Sequence, residues 1–287
     1  MKLKFSLAFI GILAVLNVFA WQEIFILSSH NYVRVAVLDI GQGDSIFIET
    51  PSMRHILIDG GPDSKVLEKL QKFIPFWHRS LDVVVLTHPD ADHVTGLLYA
   101  LQKYRVGYIV WTGIVREGGN YQKWTELLSA SEKKGTKVIK AQLNQKIVNG
   151  DVAIDILHPF EDLTGRIFGK QGNDTGIVSR LLFGKNSFLF TADISSNVEE
   201  QMIDKKIDMA SDVLKIGHHG SKYSTSEAFL KAVNPKIAVI SVGKKNPYGH
   251  PTSEVLQKLQ NFGIKIFRTD QNGTIEMLSD GENIKIE

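Results

Sequence analysis

The stretch THPDADH, residues 87–93, places two histidines and two aspartates in seven positions, directly after the apolar run Val83-Val84-Val85-Leu86. Imidazole nitrogen and carboxylate oxygen hold zinc at about 2.0–2.2 Å, and a carboxylate-rich set also suits manganese. A strand that ends in LTH delivers His88 at its C-terminal edge. The turn made by Pro89 and Asp90 then lets Asp92 and His93 open the following helix. A plainer account has Asp92 only capping that helix and the histidines lying on the surface. The chain has no cysteine, which excludes thiolate metal sites, disulfides and cysteine nucleophiles together, so any metal is held by nitrogen and oxygen.

Other candidates stand after other apolar runs. SFLFTAD puts Asp193 just past one, and VLKIGHHGS puts His218 and His219 just past another. Of nine histidines in the chain, these two together with His88 and His93 lie in such stretches, and His250 follows in NPYGHPTS after IAVISVG. Histidines scattered over a surface would not sort to strand ends, whereas a site built along one sheet edge collects them there. Asp59 in LIDGG is placed to support the site from behind, with Gly60 and Gly61 permitting close backbone approach, or else to make an ordinary turn. Asp44 in GQGD is read the same way. In GKKNPYGHP, His250 is placed to protonate a leaving group or bind a phosphate oxygen, and Lys244 and Lys245 to attract an anionic substrate; the alternative is a cap and solvated lysines. Phe188 and Phe190 are core residues.

These side chains need a scaffold that brings them to one edge. From Val33 the runs VRVAVLDI, SIFIET and HILIDGG, separated by Gly, Asp and Pro, predict a meander of short strands. Strands then alternate with helices. LDVVVLTH precedes a helix with Val94, Leu97, Leu98 and Leu101 at i, i+3, i+4 and i+7, and VGYIVWTG precedes the helical stretch YQKWTELLSASEKKG. KVIKAQL, VAIDILHP, IVSRLLFG, SFLFTADI, DVLKIGHHGS and IAVISVG continue the theme with helices at NVEEQMID, SEAFLKAV and SEVLQKLQNF, and KIFRT, GTIEMLS and ENIKIE close it. Residues 160–174 form the longest unpatterned loop, and no Pro- or Ser-rich linker divides the chain, so residues 31–287 are expected to be one mixed α/β domain. Its 43% hydrophobic content fits a sizeable core. Lys plus Arg (33) nearly balances Asp plus Glu (31), so charge alone advertises neither nucleic acid nor anionic lipid, while leaving room for a local basic patch.

The amino terminus reads differently. Residues 5–20, FSLAFIGILAVLNVFA, are uncharged and mostly apolar and follow Lys2 and Lys4. Residues 1–30 are therefore expected to direct the chain to a membrane, as a retained anchor or as a signal peptide ending at Ala20. The positively charged start tends to stay inside, which puts residues 31–287 outside the cytoplasm. A buried core helix is the plainer alternative.

THPDADH resembles the HxHxDH signature of the metallo-β-lactamase superfamily, with Asp90 where the second histidine usually stands. LDIGQGDS, LIDGG, LTHPDADHVTGL, SFLFTADI, LKIGHHGS and YGHPTSEVL together are similar to the hydrolase domain of the ComEC family of competence DNA-uptake channel proteins, over about Val33 to Glu287. The resemblance implies a four-layer αββα sandwich with a metal site along one sheet edge. It assigns Asp92, His93 and Asp193 as ligands, Asp193 bridging two metals. His88 and Asp90 are expected to hold the first metal and His218 the second, leaving His219 for substrate or for support. Superfamily members often place a further histidine ahead of the FLFTAD strand pair. Here GNDTG, residues 172–176, offers only Asn173 or Asp174 as a weak substitute, so the first metal is expected to be the looser of the two. The many transmembrane helices of ComEC proteins are not in this sequence, which implies a stand-alone hydrolase behind one membrane segment.

Two divalent cations, zinc or manganese, about 3.5–4 Å apart lower the pKa of a shared water and neutralise charge on a phosphoryl oxygen. Phosphodiester hydrolysis is the expected reaction, with Asp92 catalytic and His219 or His250 aiding departure of the alcohol. The resemblance points to a nuclease acting on DNA, single-stranded, at the cell surface, with competence-type channel or pilus proteins as partners. Two alternatives stand beside it: hydrolysis of a cell-envelope phosphodiester such as a phosphorylcholine ester, and a catalytically weak module that binds DNA or a pilus component.

Overall fold

The structure, a computed structural model, describes residues 2–28, 31–169 and 172–287, and in the N-terminal helix the side chains of residues 5 and 7–21. That helix, α1 (Lys2–Ser28), has 27 residues, and its described apolar side chains, Phe9, Leu16 and Trp21 among them, are exposed. Among the described residues no helix is long and apolar enough to cross a membrane. The expected boundary at residue 30 lies outside the described residues.

From Val33 onward the chain builds two sheets. The first contains β1 (Val33–Val37), β2 (Ile46–Glu49), β3 (His55–Ile58), β4 (Ser80–Leu86), β5 (Arg105–Trp111) and β6 (Lys137–Lys140). β1, β2 and β3 form the antiparallel meander, and β3 to β6 run parallel, joined by crossovers through α2 (Lys65–Leu70), α3 (Ala91–Lys103) and α4 (Gly119–Glu132). The second sheet contains β7 (Lys146–Asn149), β8 (Val152–His158), β9 (Val178–Phe183), β10 (Asn186–Phe190), β11 (Val213–Lys215), β12 (Ile237–Ile240) and β13 (Lys265–Arg268), with α5 (Ser196–Asp204), α6 (Glu227–Val233) and α7 (Ser253–Asn261) joining its parallel half. After the short α8 (Thr269–Asn272), β14 (Ile275–Ser279) and β15 (Ile284–Ile286) return to the first sheet. The strand orders are β15-β14-β1-β2-β3-β4-β5-β6 and β13-β12-β11-β10-β9-β8-β7.

Side-chain alternation along each strand produces three cores. Val83 and Val85 of β4 meet Val35, Phe188 and Phe190 between the sheets, while Val84 and Leu86 face the other way onto Val94, Leu97 and Leu101 of α3. Leu189, Leu214 and Ala238 cover Phe229, Leu230 and Val255 on the far side of the second sheet. Each fully buried Val, Leu or Phe contributes about 1.5–3 kcal/mol of transfer free energy, so both faces of both sheets must be covered, and the layers run helix, sheet, sheet, helix. Among the named helices and strands, α2, β7 and α8, six, four and four residues long, go beyond the elements anticipated from the sequence. Runs that short carry too few residues for a period to register.

Candidate metal centre

The C-terminal ends of β3 and β4 in one sheet and of β10, β11 and β12 in the other meet at one edge. α3 enters this edge at very short range. A Cβ on Gly96 would lie 1.8 Å from the carbonyl oxygen of Gly60, and one on Gly60 would lie 2.2 Å from the amide nitrogen of Leu97. With glycine at both positions, the Gly60 N–H donates to the His93 carbonyl at 2.8 Å and the Gly96 N–H to the Gly61 carbonyl at 2.9 Å. The first turn of α3 is thereby fixed against the turn that carries Asp59.

Three imidazoles are oriented by their outer nitrogens. His93 Nδ1–H donates to Asp59 Oδ2 at 2.8 Å, and His219 Nδ1–H donates to the Ser241 carbonyl at 2.9 Å. Thr87 donates its N–H and Oγ1–H to the two oxygens of Asp59, so Thr87 Oγ1 is left to accept from His88 Nδ1–H at 3.0 Å. Each ring therefore keeps a proton on Nδ1 and turns Nε2 inward, where an ion would take the lone pair of His88 directly and those of His93 and His219 in exchange for their second protons. His88 Nε2, His93 Nε2, His219 Nε2 and Asp193 Oδ1 are all buried without a hydrogen-bond partner. Buried polar atoms are almost always satisfied, and four unsatisfied ones together fit a cation. Donor atoms of Asp92, His93, Asp193 and His219 lie within 4.8 Å of one another. Asp193 Oδ2 is 3.3 Å from both His93 Nε2 and His219 Nε2, and Asp92 Oδ2 is 3.3 Å from His219 Nε2.

A second close triplet, Asp44, Asp59 and His93, is a supporting array instead of an ion seat. His93 acts there through its proton-bearing Nδ1, and Asp59 is already engaged by Thr87. Asp44 pairs with the buried ammonium of Lys215, which also lies 3.9 Å from Asp193 Oδ1.

The electrostatics follow from this geometry. Burial alone would push Asp193 and Asp92 upward, but the charges and hydrogen bonds of His219 and His93 outweigh it and hold both below the usual carboxylate range. Burial opposes the charged form of His93 and His219, yet Asp193 and its neighbouring carboxylates raise both well above the ordinary 6.5. His88 goes the other way, lowered by burial and then by His93, so it is neutral at neutral pH and its Nε2 is free to ligate. Four non-glycine residues around the edge, Asp59, Ala192, His218 and His219, adopt φ between 47° and 57°. This left-handed conformation costs about 1–2 kcal/mol per residue, and such outliers cluster at functional sites.

Several expectations need correction. His218, expected to ligate the second metal, is not in the group; His219, expected to serve substrate, is. Consecutive left-handed residues turn the second ring toward Asp193 and the first toward Asn173, whose amide nitrogen is 3.4 Å from His218 Nε2. Asp90, expected as a first-metal ligand, is turned away to Arg116. Asp174 accepts from the Ser195 N–H at 2.9 Å and is not directed at the group. His250 stacks on Tyr248 and meets the His218 ring edge-on. Its pKa is lowered by burial and then by His218 and His219, so at neutral pH it is a neutral imidazole and not a ready proton donor. Lys244 and Lys245 are exposed on the same loop, which Asn246 pins through Gly243 and His250. Lys215, Thr87 and Arg116 were not expected at the site. For Lys215 a signal exists, a lysine ending the apolar run of β11; for Arg116 there is none.

Beside Asp92 opens a cleft of about 800 Å3, also lined by Asp90, Arg116, Tyr121 and Phe168. Residues 38–244 match the family model of the metallo-β-lactamase superfamily. The chain is 34% identical over 261 residues to ComE operon protein 3 of Bacillus subtilis, covering 84% of this chain and 32% of that protein. It is 32% identical to competence protein ComA of Neisseria gonorrhoeae, covering 86% and 32%, and 27% identical to recombination protein 2 of Haemophilus influenzae, covering 85% and 28%. The chain thus spans about a third of the length of these relatives. Among solved structures, Igni18, a metallo hydrolase from Ignicoccus hospitalis, aligns with a TM-score of 0.54 at 17% identity, over 85% of this chain and 98% of that one. CmlA, a diiron β-hydroxylase from Streptomyces venezuelae, aligns at 0.52 and 15%, over 82% and 52%. At such identities the likeness is one of fold. With the family match covering more than half of the sequence, in a chain whose sheets, helix layers and donor group are those just described, the chain belongs to the metallo-β-lactamase superfamily.

Proposed function

We propose that this chain is a metal-dependent phosphodiesterase that cleaves DNA, single-stranded in particular, outside the cytoplasm. The observation that carries the reading is the convergence of buried, unpartnered imidazole Nε2 atoms with Asp193 beside an open cleft. Zinc or manganese suits this nitrogen and oxygen set, and Asp92, His93, Asp193 and His219 would hold the ion. When bound, a divalent ion supplies a water of lowered pKa and neutralises charge on a phosphoryl oxygen. Asp59, Thr87 and the Ser241 carbonyl keep the Nε2 lone pairs inward. Asp92, with about a third of its side chain exposed (35%), is the member of the group that faces the cleft and meets the incoming diester. Lys244 and Lys245 add positive charge on the loop that carries His250.

DNA as the substrate is supported by two relatives, one named for competence and one for recombination, which also makes competence-type channel or pilus proteins the natural partners. An extracytoplasmic position is supported by the uncharged run that follows Lys2 and Lys4 in α1, acting as anchor or as cleaved signal. The test uses the purified full chain with manganese or zinc on labelled single-stranded DNA. Cleavage that Asp193→Ala abolishes supports the reading. Intact DNA combined with rapid hydrolysis of a phosphorylcholine ester would replace it with the envelope alternative, and tight DNA binding without turnover under either metal would leave a binding module. Protease digestion of intact cells tests the location: an accessible domain agrees with it, a protected one does not.

A further inference from the structure

Asp90 occupies the position in THPDADH that the family signature gives to a metal ligand, yet its carboxylate accepts a hydrogen bond from Arg116 Nη2. The guanidinium is firmly held there. Arg116 Nη1 donates to the carbonyls of Phe168 at 3.0 Å and Gly169 at 2.6 Å. Gly172 packs so closely that a Cβ on it would lie 2.8 Å from Cζ, 2.8 Å from Nη1 and 2.9 Å from Nη2. These bonds use three of the five N–H donors a guanidinium carries. The group lines the same cleft as Asp92.

With Asp90 engaged, the ligands left for the first metal position among the described residues are His88, whose Nε2 is buried without a partner, and Asp193, which the resemblance gives to both metals. Asn173 and Asp174, the weak substitutes, are directed at His218 and Ser195. Two donors fall short of the three protein ligands that a catalytic zinc-type site ordinarily needs. A phosphodiester in the cleft would nevertheless meet a second positive charge, because Arg116 is already there.

We propose that Arg116 stands in for the second metal ion: the chain holds one divalent cation on Asp92, His93, Asp193 and His219, and the Arg116 guanidinium supplies the neighbouring cation that binds the phosphodiester. A guanidinium suits this role because its planar N–H pairs match the non-bridging oxygens of a phosphate. Asp90 acts as a positioning residue, holding Arg116 through its carboxylate and keeping it over the cleft. This inference rests on the metal-hydrolase reading and adds to it the number of ions and the identity of the second cation.

Metal counting by mass spectrometry on the full chain, equilibrated with manganese or with zinc, tests it apart from activity. The wild type is expected to hold one ion, Asp90→Ala to keep it and Asp92→Ala to lose it. Arg116→Ala frees Asp90 and is expected to admit a second ion at high metal. Gly172→Ala, which displaces the guanidinium without touching a charged residue, is expected to do the same and covers the case in which Arg116→Ala does not fold. At metal levels that fill one site, Arg116→Ala should lower turnover of bis(p-nitrophenyl) phosphate by about 100-fold, the loss typical of removing one preorganised donor. Two ions in the wild type, one of them lost in Asp90→Ala, would overturn the inference while leaving the hydrolase reading intact. Arg116→Ala and Gly172→Ala that both stay at one ion with undiminished turnover would overturn it too. No bound ion in the wild type would remove the hydrolase reading itself.

Discussion

His93 sits between two carboxylates, with Nδ1 2.8 Å from Asp59 Oδ2 and Nε2 3.3 Å from Asp193 Oδ2. Asp59 thereby decides which nitrogen of the ring carries the proton and which is available to an ion. Asp59→Asn keeps the size of the side chain but replaces one acceptor oxygen with a donor, so either Thr87 or His93 loses its bond. Affinity for manganese or zinc, read by isothermal titration, should fall about 10–100-fold, with the circular dichroism spectrum retained. Unchanged affinity would reduce Asp59 to a turn residue.

Lys215 is almost fully buried, 1% exposed, and its ammonium is paired with Asp44. Asp44 in turn lies 3.4 Å from His219 Nδ1. Lys215→Met preserves length and apolar contact but leaves a buried carboxylate without its cation. Breaking a buried pair in this one-sided way costs about 3–5 kcal/mol, which urea unfolding would register. Adding Asp44→Asn should recover part of that loss, because it removes the uncompensated charge; a double variant no more stable than Lys215→Met alone would show that the pair is not the source.

How much of this the sequence discloses depends on how far apart the cooperating residues lie. Asp92, His93 and Asp193 are legible because a helix start and a strand end place them locally, and the apolar runs around Val83–Leu86 and Phe188–Phe190 already call for a sheet covered on both faces. The choice between His218 and His219 is not legible, since it depends on two successive left-handed residues that no propensity favours in a non-glycine pair. Asp90 misleads for another reason. Its partner Arg116 is 26 residues away and arrives only after α3 and β5 have been laid down, so a spacing argument confined to THPDADH cannot anticipate it.

Gly96 tests the approach of α3 to the sheet edge. A methyl group there would overlap the Gly60 carbonyl oxygen at 1.8 Å, a contact between two backbone segments with no flexible side chain to yield. Gly96→Ala should cost about 3 kcal/mol, the upper part of the usual overpacking range, and should weaken metal binding as well, because the displaced helix carries Asp92 and His93. Thermal unfolding and metal titration on the same preparation separate the two effects. A variant as stable as the wild type would mean that the turn at Gly60 shifts freely.

The opposed pKa shifts at the site set a pH dependence for the metal-free protein. Asp92 and Asp193 are held below the ordinary 3.8, so their contribution to stability is present above that value and is lost as pH falls through their lowered values. His93 and His219 are raised above 6.5, so theirs is complete below 6.5 and disappears as pH rises through their raised values. The site therefore stabilises the metal-free fold most between 3.8 and 6.5. A bound ion reverses the alkaline side, because it must displace the protons of both imidazoles and so binds more tightly as they become scarce. The difference in Tm between metal-loaded and metal-free protein should widen steadily from pH 6.5 upward and shrink below it, and calorimetric titration in buffers of unequal ionisation enthalpy should register protons released on binding. A difference that stays constant across this range, with no proton release, would mean that His93 and His219 do not meet the ion.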